Sequence, residues 1–504
     1  MNAPSTGSFD VVVLGGGPAG CAAATLLARH RHSVALVRPD IPSTPRLVES
    51  IPPSAWRILD ELGFAPALER AAFRVNRGNT VWWAGETRDE TFADARTGLY
   101  TDRARLEGAF GAAMTDAGAT LFERASARSA EQTPEGWQVR CERRGEGTLE
   151  LRAPWIVDAT GRHGFLARGE GRRPDRNTHT LALVGMWRAG AGGWPADHAH
   201  KSLVESYPEG WAWSLPLDDG LRCVAAMIEG GAVRARTDIE ALLVGELAKT
   251  CHLDPALHGA TLDGSAWACP ASLYRASRFA RPGLLLAGDA GSFIDPLSSF
   301  GVKKALSSGW LAGVVVHTAL VDPAAAATAL EFYDRREAEV YRRYRSLSAG
   351  FLERAASEYG TDYWAKRARA ALRHRGRSSS EAEDPDRVAP EVPEDAVRRA
   401  FDVIRSRPSL DAIPGSSLRR VQVPGIEGHR IALQDHLASD AFPEGLRYVR
   451  GVDLQGLVVA APGRAEVPDA WAAYNGIAPP VALPDYLTAL ATAFAAGLLE
   501  HAER

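Results

Sequence analysis

The sequence predicts an α/β protein in which a Rossmann-like domain carries an inserted mixed β-sheet domain and is followed by an α/β C-terminal domain. Three observations carry this prediction. A glycine-rich turn links an apolar strand to a helix close to the N-terminus. A second turn of the Gly-Asp type follows another apolar strand far downstream. Between the two turns, alternating apolar and polar residues indicate a large sheet.

Composition and charge exclude several classes of protein. The 504 residues are 45% hydrophobic and 24% charged, which is typical of a folded globular chain. A formal net charge of −4 provides no basic field, so we expect no nucleic-acid partner. The five cysteines are scattered without a Cys-x-x-Cys pair, and we expect no metal site. Because we find neither a secretory signal nor a long uncharged apolar run, we predict a cytoplasmic protein without a membrane partner.

The N-terminal segment has the pattern of a βαβ unit. A strand over Phe9–Leu14 and a helix over Ala22–Arg29 precede a second strand, Val34–Val37. The turn between the first strand and the helix has Gly-x-Gly-x-x-Gly spacing, which lets phosphates approach the backbone and the helix N-terminus. We therefore predict a dinucleotide site that includes Gly15, Gly17, Pro18, Ala19 and Gly20.

The acidic ribose ligand that usually ends the second strand of such a unit is replaced here by Arg38. Arg38 could reach a ribose or a phosphate, or stack on adenine, and we include it among the cofactor-binding candidates. A solvated loop arginine fits the sequence equally well.

The later elements define the domain boundaries. We predict a hairpin over Trp137–Val157, a sheet-rich region over 178–270, a strand over Leu284–Ala287, and helices over Val302–Leu320 and Ala324–Ala356. The cofactor-binding domain would comprise 1–175 and 275–356, with 176–274 as the inserted substrate-binding sheet domain. Residues 357–504 would form the C-terminal domain, with a linker at about 375–396.

Three segments together resemble the FAD-dependent monooxygenase and halogenase superfamily, which has the para-hydroxybenzoate hydroxylase-type fold. They are the first glycine turn, Asp158–Gly161, and Gly288-Asp289 followed by Asp295-Pro296; the resemblance covers about residues 8–355. It implies that FAD is the cofactor and that the Asp289 carboxylate binds its ribityl hydroxyls. It also implies that a turn and helix start face the isoalloxazine ring, with contacts from Pro296, Ser299, Gly301 and Val302.

Other segments resemble the halogenase-like branch of this superfamily. Arg46–Pro53 resembles a segment that lies beside the flavin in that branch, which implies a cofactor contact for Ser50 and an acid–base role for Glu49. Arg103 matches a family arginine that contacts FAD. Trp211 and Trp213 resemble part of a Trp-x-Trp-x-Ile-Pro signature. On a strand they share one face, which walls a substrate cavity or belongs to the sheet core. The predicted catalytic set is Glu49, Trp211, Trp213 and Pro296.

Lysine usage separates the possible reactions. Halogenases of this family guide hypohalous acid with a lysine, and this chain has no lysine before Lys201. The resemblance therefore implies direct oxygen transfer from a flavin C4a-hydroperoxide to an aromatic substrate. A tryptophan side chain in a peptide or protein is one implied substrate, because the chain is similar to flavoproteins that hydroxylate tryptophan during quinone-cofactor maturation.

Two other reactions stay open at this stage. A halogenase of a tryptophan or phenolic substrate could use Arg74 or Arg77 as a substitute cation, and a reductase of the geranylgeranyl type would need no oxygen. Electrons would come from reduced flavin or NAD(P)H. The C-terminal domain could bind a protein partner. We expect Lys303 and Lys304 to be exposed helix residues.

Overall fold

The computed structural model describes residues 5–40, 48–92, 96–174, 178–217, 220–233, 237–372 and 392–502. The chain divides into two compact units, Met1–Asp386 and Arg387–Arg504. The helices of the first unit are α1 (Pro18–Arg29), α2 (Trp56–Glu61), α3 (Ala65–Arg70), α4 (Arg103–Asp116), α5 (Ile239–Leu247), α6 (Leu253–Ala256), α7 (Gly301–Val321), α8 (Ala326–Tyr359) and α9 (Asp362–Leu372). Those of the second unit are α10 (Glu394–Ser406), α11 (Leu454–Ala460), α12 (Val467–Asn475) and α13 (Leu483–Ala495).

A six-stranded sheet forms the centre of the first unit. Its spatial order is Ala280–Arg281, Leu284–Leu286, Trp155–Asp158, Val11–Leu14, Val34–Val37 and Thr120–Phe122. The first strand in that order is antiparallel to its neighbour, and the other pairings are parallel. The two N-terminal strands are apolar and wholly buried, as expected for parallel strands covered on both faces. The predicted Rossmann-like βαβ unit is therefore present.

Helix α7 packs directly on α1 because two glycines remove the side chains between them. A Cβ at Gly309 would lie 2.0 Å from the Ala19 carbonyl oxygen, and one at Gly313 would lie 2.8 Å from Leu26. By length and composition α7 could cross a membrane, but 72% of its apolar window is buried inside the protein. It is therefore packed as the core helix of the first unit.

An eight-stranded mixed sheet forms the second layer of this unit. Its spatial order is Thr261–Leu262, Thr180–Arg188, Leu221–Glu229, Gly210–Pro216, Lys201–Tyr207, Gly78–Trp83 and Glu86–Thr91, and Trp267–Pro270 also pairs with the second of these. The strand Gly78–Trp83 runs parallel to Lys201–Tyr207, while the other pairings are antiparallel. The predicted inserted sheet thus also takes two strands from residues 78–91.

Smaller sheets complete the first unit. One contains Ser5–Ser8, Gly147–Ala153, Gly136–Arg143 and Ala125–Thr133, and includes the predicted hairpin. Another contains Val48–Ile51, Gly98–Asp102 and Arg74–Asn76. A third contains Arg173–Pro174, Tyr274–Arg275 and Ser292–Phe293.

The second unit has its own core around α11 and α13, whose largest buried side chains include Tyr474 and Tyr486. Within residues 392–502, its strands form three pairs: Ala412–Pro414 with Leu499–His501, Arg419–Glu427 with Arg430–Ala438, and Tyr448–Val449 with Val452–Asp453. Because each pair is antiparallel, short turns are sufficient to connect most of them.

The boundary of the C-terminal unit differs from the predicted position at residue 357. Helix α9 belongs to the first unit, where Trp364 is fully buried and donates a hydrogen bond from Nε1 to the Tyr207 carbonyl at 2.9 Å. The two residues are 157 positions apart in the chain, so the sequence pattern does not predict this contact. Most of the predicted linker lies outside the described residues, and α10 begins within its last part, at Glu394.

Candidate active site

A deep cleft opens between the two large sheets of the first unit. It holds about 1560 Å³ of non-atom space when the part open to solvent is counted. The part of it that water-sized molecules can occupy measures about 260 Å³. The predicted residues that line it are Gly17, Pro18, Ala19, Glu49, Ser50, Arg103, Trp211, Trp213, Asp289, Pro296, Ser299, Gly301 and Val302.

The start of α1 forms the first wall. Gly15 has φ of +107°, and a Cβ there would lie 2.2 Å from the Ala159 carbonyl oxygen. A Cβ at Gly20 would lie 1.9 Å from the Gly15 carbonyl oxygen. These two glycines therefore serve backbone packing beneath the cleft, whereas Gly17 lies on its surface as the N-cap of α1.

The start of α7 forms a second wall of the same cleft. Asp295 accepts a hydrogen bond from the Leu297 N–H at 3.0 Å and begins the turn Pro296–Ser298. Ser299 then adopts a left-handed conformation with φ of +54°. Neither α1 nor α7 has a side-chain cap or an acidic residue in its first turn. Both helix N-termini therefore present uncapped N–H groups and partial positive charge, which suits an anionic ligand.

Asp289 lies beside a buried cation. Lys304 is 1% exposed, and its Nζ is 3.6 Å from Asp289 Oδ1. The same ammonium donates to the Gly288 carbonyl at 3.0 Å and to the Ser292 carbonyl. A buried ammonium needs such partners because it has lost its hydration. Lys304 thus fixes the turn that presents Asp289 to the cleft.

A second charged group, around Arg103, lines the same cleft. Arg103 donates from Nε to Glu107 Oε1 at 2.8 Å, and its Nη1 is 3.5 Å from Glu49 Oε1. Burial raises the pKa of Glu49, although Arg103 acts in the opposite direction. Asp289 and Glu107 raise it further. A carboxyl group with a raised pKa can hold or deliver a proton inside the cleft.

The tryptophan strand Gly210–Pro216 forms the sheet wall. Trp211, Trp213 and Leu215 all line the cleft, which is the face-sharing that alternation predicts. Trp211 is 5% exposed and contacts Trp83 edge-on, with ring centroids 6.1 Å apart. It belongs to the sheet core and to the cavity wall at once. Trp213 is only partly buried and is the more accessible of the two rings.

Arg38 lies just outside this cleft. Its side chain covers Gly16 and pairs with Glu123, and it donates to the Glu107 carbonyl at 3.3 Å. Glu123 follows the strand Thr120–Phe122, so an acidic group does stand at this edge of the sheet. Arg74 and Arg77 do not line the cleft either: Arg74 donates to the Ala199 carbonyl at 2.8 Å, and Arg77 is exposed.

The structure adds one cationic residue to the cleft lining that the sequence alone did not single out. Arg162 lines the cleft and donates to the Pro270 carbonyl at 2.8 Å. The expectation that Lys303 and Lys304 are exposed is wrong, since both are buried. Both lie in the first turn of α7, and the burial of Lys304 depends on its contacts with the turn at Gly288, which lies in an earlier segment of the chain. Arg46 lies outside the described residues.

These features together fit a dinucleotide cofactor with a ring system. Two uncapped helix N-termini and the glycine surface at Gly17 suit a diphosphate, and Asp289 can accept hydrogen bonds from hydroxyl groups. Pro296 and the tryptophan strand also line the cleft and present an apolar surface against which a flat ring can lie.

Comparison with known proteins agrees with this geometry. A family model described as "FAD binding domain" matches residues 8–343. The chain is 31% identical over 366 residues to the tryptophan 2-halogenase of Chondromyces crocatus, covering 70% of this chain and 69% of that protein.

Two solved structures share the fold. CmlS, a flavin-dependent halogenase, has a TM-score of 0.75 and 20% identity, covering 99% of this chain and 96% of that chain. The peptidyl tryptophan dihydroxylase QhpG, essential for tryptophylquinone cofactor biogenesis, has a TM-score of 0.65 and 23% identity, covering 90% of this chain and 92% of that chain.

Proposed function

Because the chain belongs to the FAD binding domain family and is a FAD-dependent oxidoreductase of the aromatic halogenase and hydroxylase group, we propose that it hydroxylates an aromatic ring. One oxygen atom of O2 enters the ring and the other leaves as water. The two electrons that this requires come from reduced flavin or NAD(P)H.

The residues that would hold FAD can be assigned from the lining of the cleft. The first turn of α1 would bind the diphosphate, Asp289 the ribityl hydroxyls, and the start of α7 the edge of the ring. When bound and reduced, the flavin supplies activation of O2. Lys304 keeps Asp289 and its turn in place, and Glu49, whose pKa is raised by burial, lies beside Arg103 as the acid–base group of the cleft.

The kind of cation that lines the cleft distinguishes halogenation from hydroxylation. Among the described residues of the lining they are Arg103 and Arg162, and no lysine is included. A halogenase of this family guides hypohalous acid with a lysine ammonium, a compact charge that a guanidinium does not reproduce. Arg74 and Arg77, the substitutes that the sequence offered, do not line the cleft. This observation favours hydroxylation.

The aromatic lining supports an indole or phenol substrate. Trp211, Trp213 and Leu215 form an apolar wall that excludes water and can position a flat ring against the flavin. QhpG acts on a peptidyl tryptophan, and its likeness in fold supports the extension of this proposal to a tryptophan side chain in a peptide or protein.

The test uses the FAD-loaded chain with a flavin reductase and NADH. Free tryptophan, simple phenols and tryptophan-containing peptides are incubated with O2, with and without bromide, and products are analysed by mass spectrometry. We expect a gain of one or two oxygen atoms that derive from isotope-labelled O2 and do not depend on bromide. The Asp289→Asn variant serves as the control with impaired cofactor binding.

Two outcomes would overturn the proposal. A bromine isotope pattern in the product would assign the halogenase reaction, which the name of the Chondromyces relative favours. Turnover without O2, with a gain of two hydrogen atoms, would assign the reductase.

A further inference from the structure

We infer that four aromatic side chains form a path along which single electrons pass from the protein surface to an oxidant in the cleft. In order from the cleft they are Trp211, Trp83, Trp364 and Tyr359. The path protects the cleft when an oxidant forms there and no substrate is present to consume it. Because it needs only a bound flavin, it is independent of the reaction that the cleft catalyses.

The four rings are in continuous contact through the core of the first unit. Trp211 lines the cleft, and its ring centroid is 6.1 Å from that of Trp83. The Trp83 ring is 5.4 Å from that of Trp364, which is 6.2 Å from the ring of Tyr359. These are ordinary separations for aromatic rings in contact, so the π systems adjoin at each step. An electron can therefore move in three short steps between neighbouring rings.

Hydrogen bonds hold the two middle rings in place. Trp83 donates from Nε1 to the Phe351 carbonyl at 2.8 Å, and Trp364 donates from Nε1 to the Tyr207 carbonyl at 2.9 Å. Trp83 is 4% exposed and Trp364 is fully buried. Because both indole N–H groups are bonded to carbonyls and shielded from water, an oxidised indole here does not readily lose its proton to solvent. The positive charge is then passed to the next ring.

The path ends at a tyrosine that can release a proton. Tyr359 is the last residue of α8 and is partly exposed, and its hydroxyl donates to the Ser206 carbonyl at 2.8 Å. Burial raises the pKa of this hydroxyl, so the group carries its proton at neutral pH, and the carboxyl groups of Glu358 and Glu205 raise it further. Negative charge beside the ring also favours the loss of an electron from it.

A second tyrosine beside Trp364 is a poor end for the path. The ring of Tyr363 is 4.9 Å from that of Trp364, but Tyr363 is 7% exposed. Its hydroxyl donates to the buried Met227 carbonyl at 3.1 Å. The Arg367 guanidinium lies 3.6 Å from the centre of the same ring, and a positive charge so close opposes removal of an electron. Electrostatics therefore directs the path to Tyr359.

Each passage transfers one electron. An oxidant in the cleft, either the photoexcited oxidised flavin or a radical formed from O2, gains an electron from Trp211, which becomes a radical cation. Trp83, Trp364 and Tyr359 then each supply an electron to the preceding ring. Tyr359 finally loses one electron and its hydroxyl proton, which goes to water, and becomes a neutral radical. A soluble thiol or ascorbate restores it by returning one hydrogen atom.

The test uses the oxidised, FAD-loaded full-length protein and a laser flash that excites the flavin. Transient absorption distinguishes tryptophan radicals from the tyrosine radical by their spectra. In a second measurement, the protein is illuminated with a nitroso spin trap, and peptide mass spectrometry locates the trapped radical. Neither measurement needs a substrate or turnover, so failure here is distinguishable from failure of the proposed hydroxylation.

We expect the wild-type protein to form a tyrosine radical and a trap adduct at Tyr359. The Tyr359→Phe variant should lose both and retain the tryptophan radicals. The Trp83→Phe variant, which interrupts the path after Trp211, should lose the tyrosine radical as well. Trp82→Phe is the matched control and should behave as wild type. Trp82 is on the same strand, but its ring faces the other side of the sheet and stacks on His252, with centroids 4.5 Å apart.

A wild-type protein that forms no tyrosine radical after the flash would overturn the inference. So would a tyrosine radical that persists in Tyr359→Phe, since another residue would then end the path. Persistence in Trp83→Phe would also overturn it, because the electrons would then take another route. Should Trp83→Phe fail to fold, the comparison of wild type with Tyr359→Phe, at a partly exposed position, decides by itself.

Discussion

Lys304 Nζ lies 3.6 Å from Asp289 Oδ1, and the ammonium is 1% exposed. The lysine and the carboxylate face each other where the Gly-Asp turn meets α7. The carboxylate that lines the cleft is thus held by a cation that does not itself line it.

Replacement of this lysine should weaken cofactor binding. In Lys304→Met the carbonyls of Gly288 and Ser292 lose their donor, and Asp289 loses its neighbouring charge. We expect a loss of about 1–3 kcal/mol in the free energy of unfolding and a higher Kd for FAD. Denaturant unfolding and FAD fluorescence titration measure the two effects, with Lys366→Met, at an exposed lysine of α9, as the control. Unchanged affinity and stability would contradict the role.

Substitutions at two glycines of the first turn should have different effects, one on stability and the other on cofactor affinity. A Cβ at Gly20 would lie 1.9 Å from a carbonyl oxygen, whereas one at Gly17 meets nothing closer than Arg103 Nη2 at 3.4 Å. Gly20→Ala should therefore destabilise the protein without cofactor. Gly17→Ala should leave the Tm of the protein without cofactor nearly unchanged. It should weaken FAD binding about tenfold or more, because the added methyl group would lie where the phosphates approach the backbone. Equal Tm losses in the two variants would refute this distinction.

Glu49 should make stability depend on pH. Burial raises its pKa above the ordinary value of 4.5, so the folded protein holds this proton more tightly than the unfolded chain. The favourable contribution is present below the unfolded pKa and is lost as pH rises through the folded pKa. Relative to wild type, Glu49→Gln should therefore gain stability as the pH rises above 4.5. Thermal unfolding across a pH series measures this, with Glu86→Gln as an exposed control; parallel curves would count against it.

The two tryptophans of the cleft wall should respond differently to substitution. Trp211 is 5% exposed, so Trp211→Ala should cost about 3–5 kcal/mol of stability. Trp213 is only partly buried, and Trp213→Ala should cost less stability but lower kcat/KM by about a hundredfold through misplacement of the ring. Chemical denaturation and steady-state kinetics provide the comparison. A larger loss of stability in Trp213→Ala than in Trp211→Ala would contradict the assignment of Trp211 to the sheet core and of Trp213 to the substrate-facing wall.

Helix α9 should be necessary for the first unit to fold. Trp364 is fully buried and contacts Trp83, with ring centroids 5.4 Å apart. Trp364→Ala should cost about 3–5 kcal/mol. A chain that ends at Asp386 should bind FAD, whereas one that ends at Ala356 should not, and FAD retention on gel filtration distinguishes them. Cofactor binding by the shorter chain would support the boundary predicted at residue 357.

The sequence was sufficient for features that depend on local spacing. The first glycine turn, Asp289, and the turn at Pro296 each lie within a few residues of a strand or helix that positions them. Alternation placed Trp211 and Trp213 on one face of a strand. Each of these patterns is complete within one short segment, so no long-range contact is needed to interpret it.

Long-range contacts account for what the sequence did not reveal. Arg38 pairs with Glu123, which is 85 positions away in the chain. The burial of Lys304 depends on the turn at Gly288, and Arg367 of α9 donates a hydrogen bond to Thr180 Oγ1 at 3.1 Å, on a strand 187 positions earlier in the chain. Periodicity describes one element at a time, and it does not show which elements meet.

The glycine contact between α1 and α7 constrains how this scaffold can diversify. Since the backbone at Gly309 leaves no room for a side chain beside the backbone of Ala19, the distance between the two helices is set without an intervening side chain that could be exchanged. A larger residue there would displace both ends of the cofactor site together. An engineer who wishes to alter the accepted substrate would therefore mutate the tryptophan strand and leave the helix pair intact.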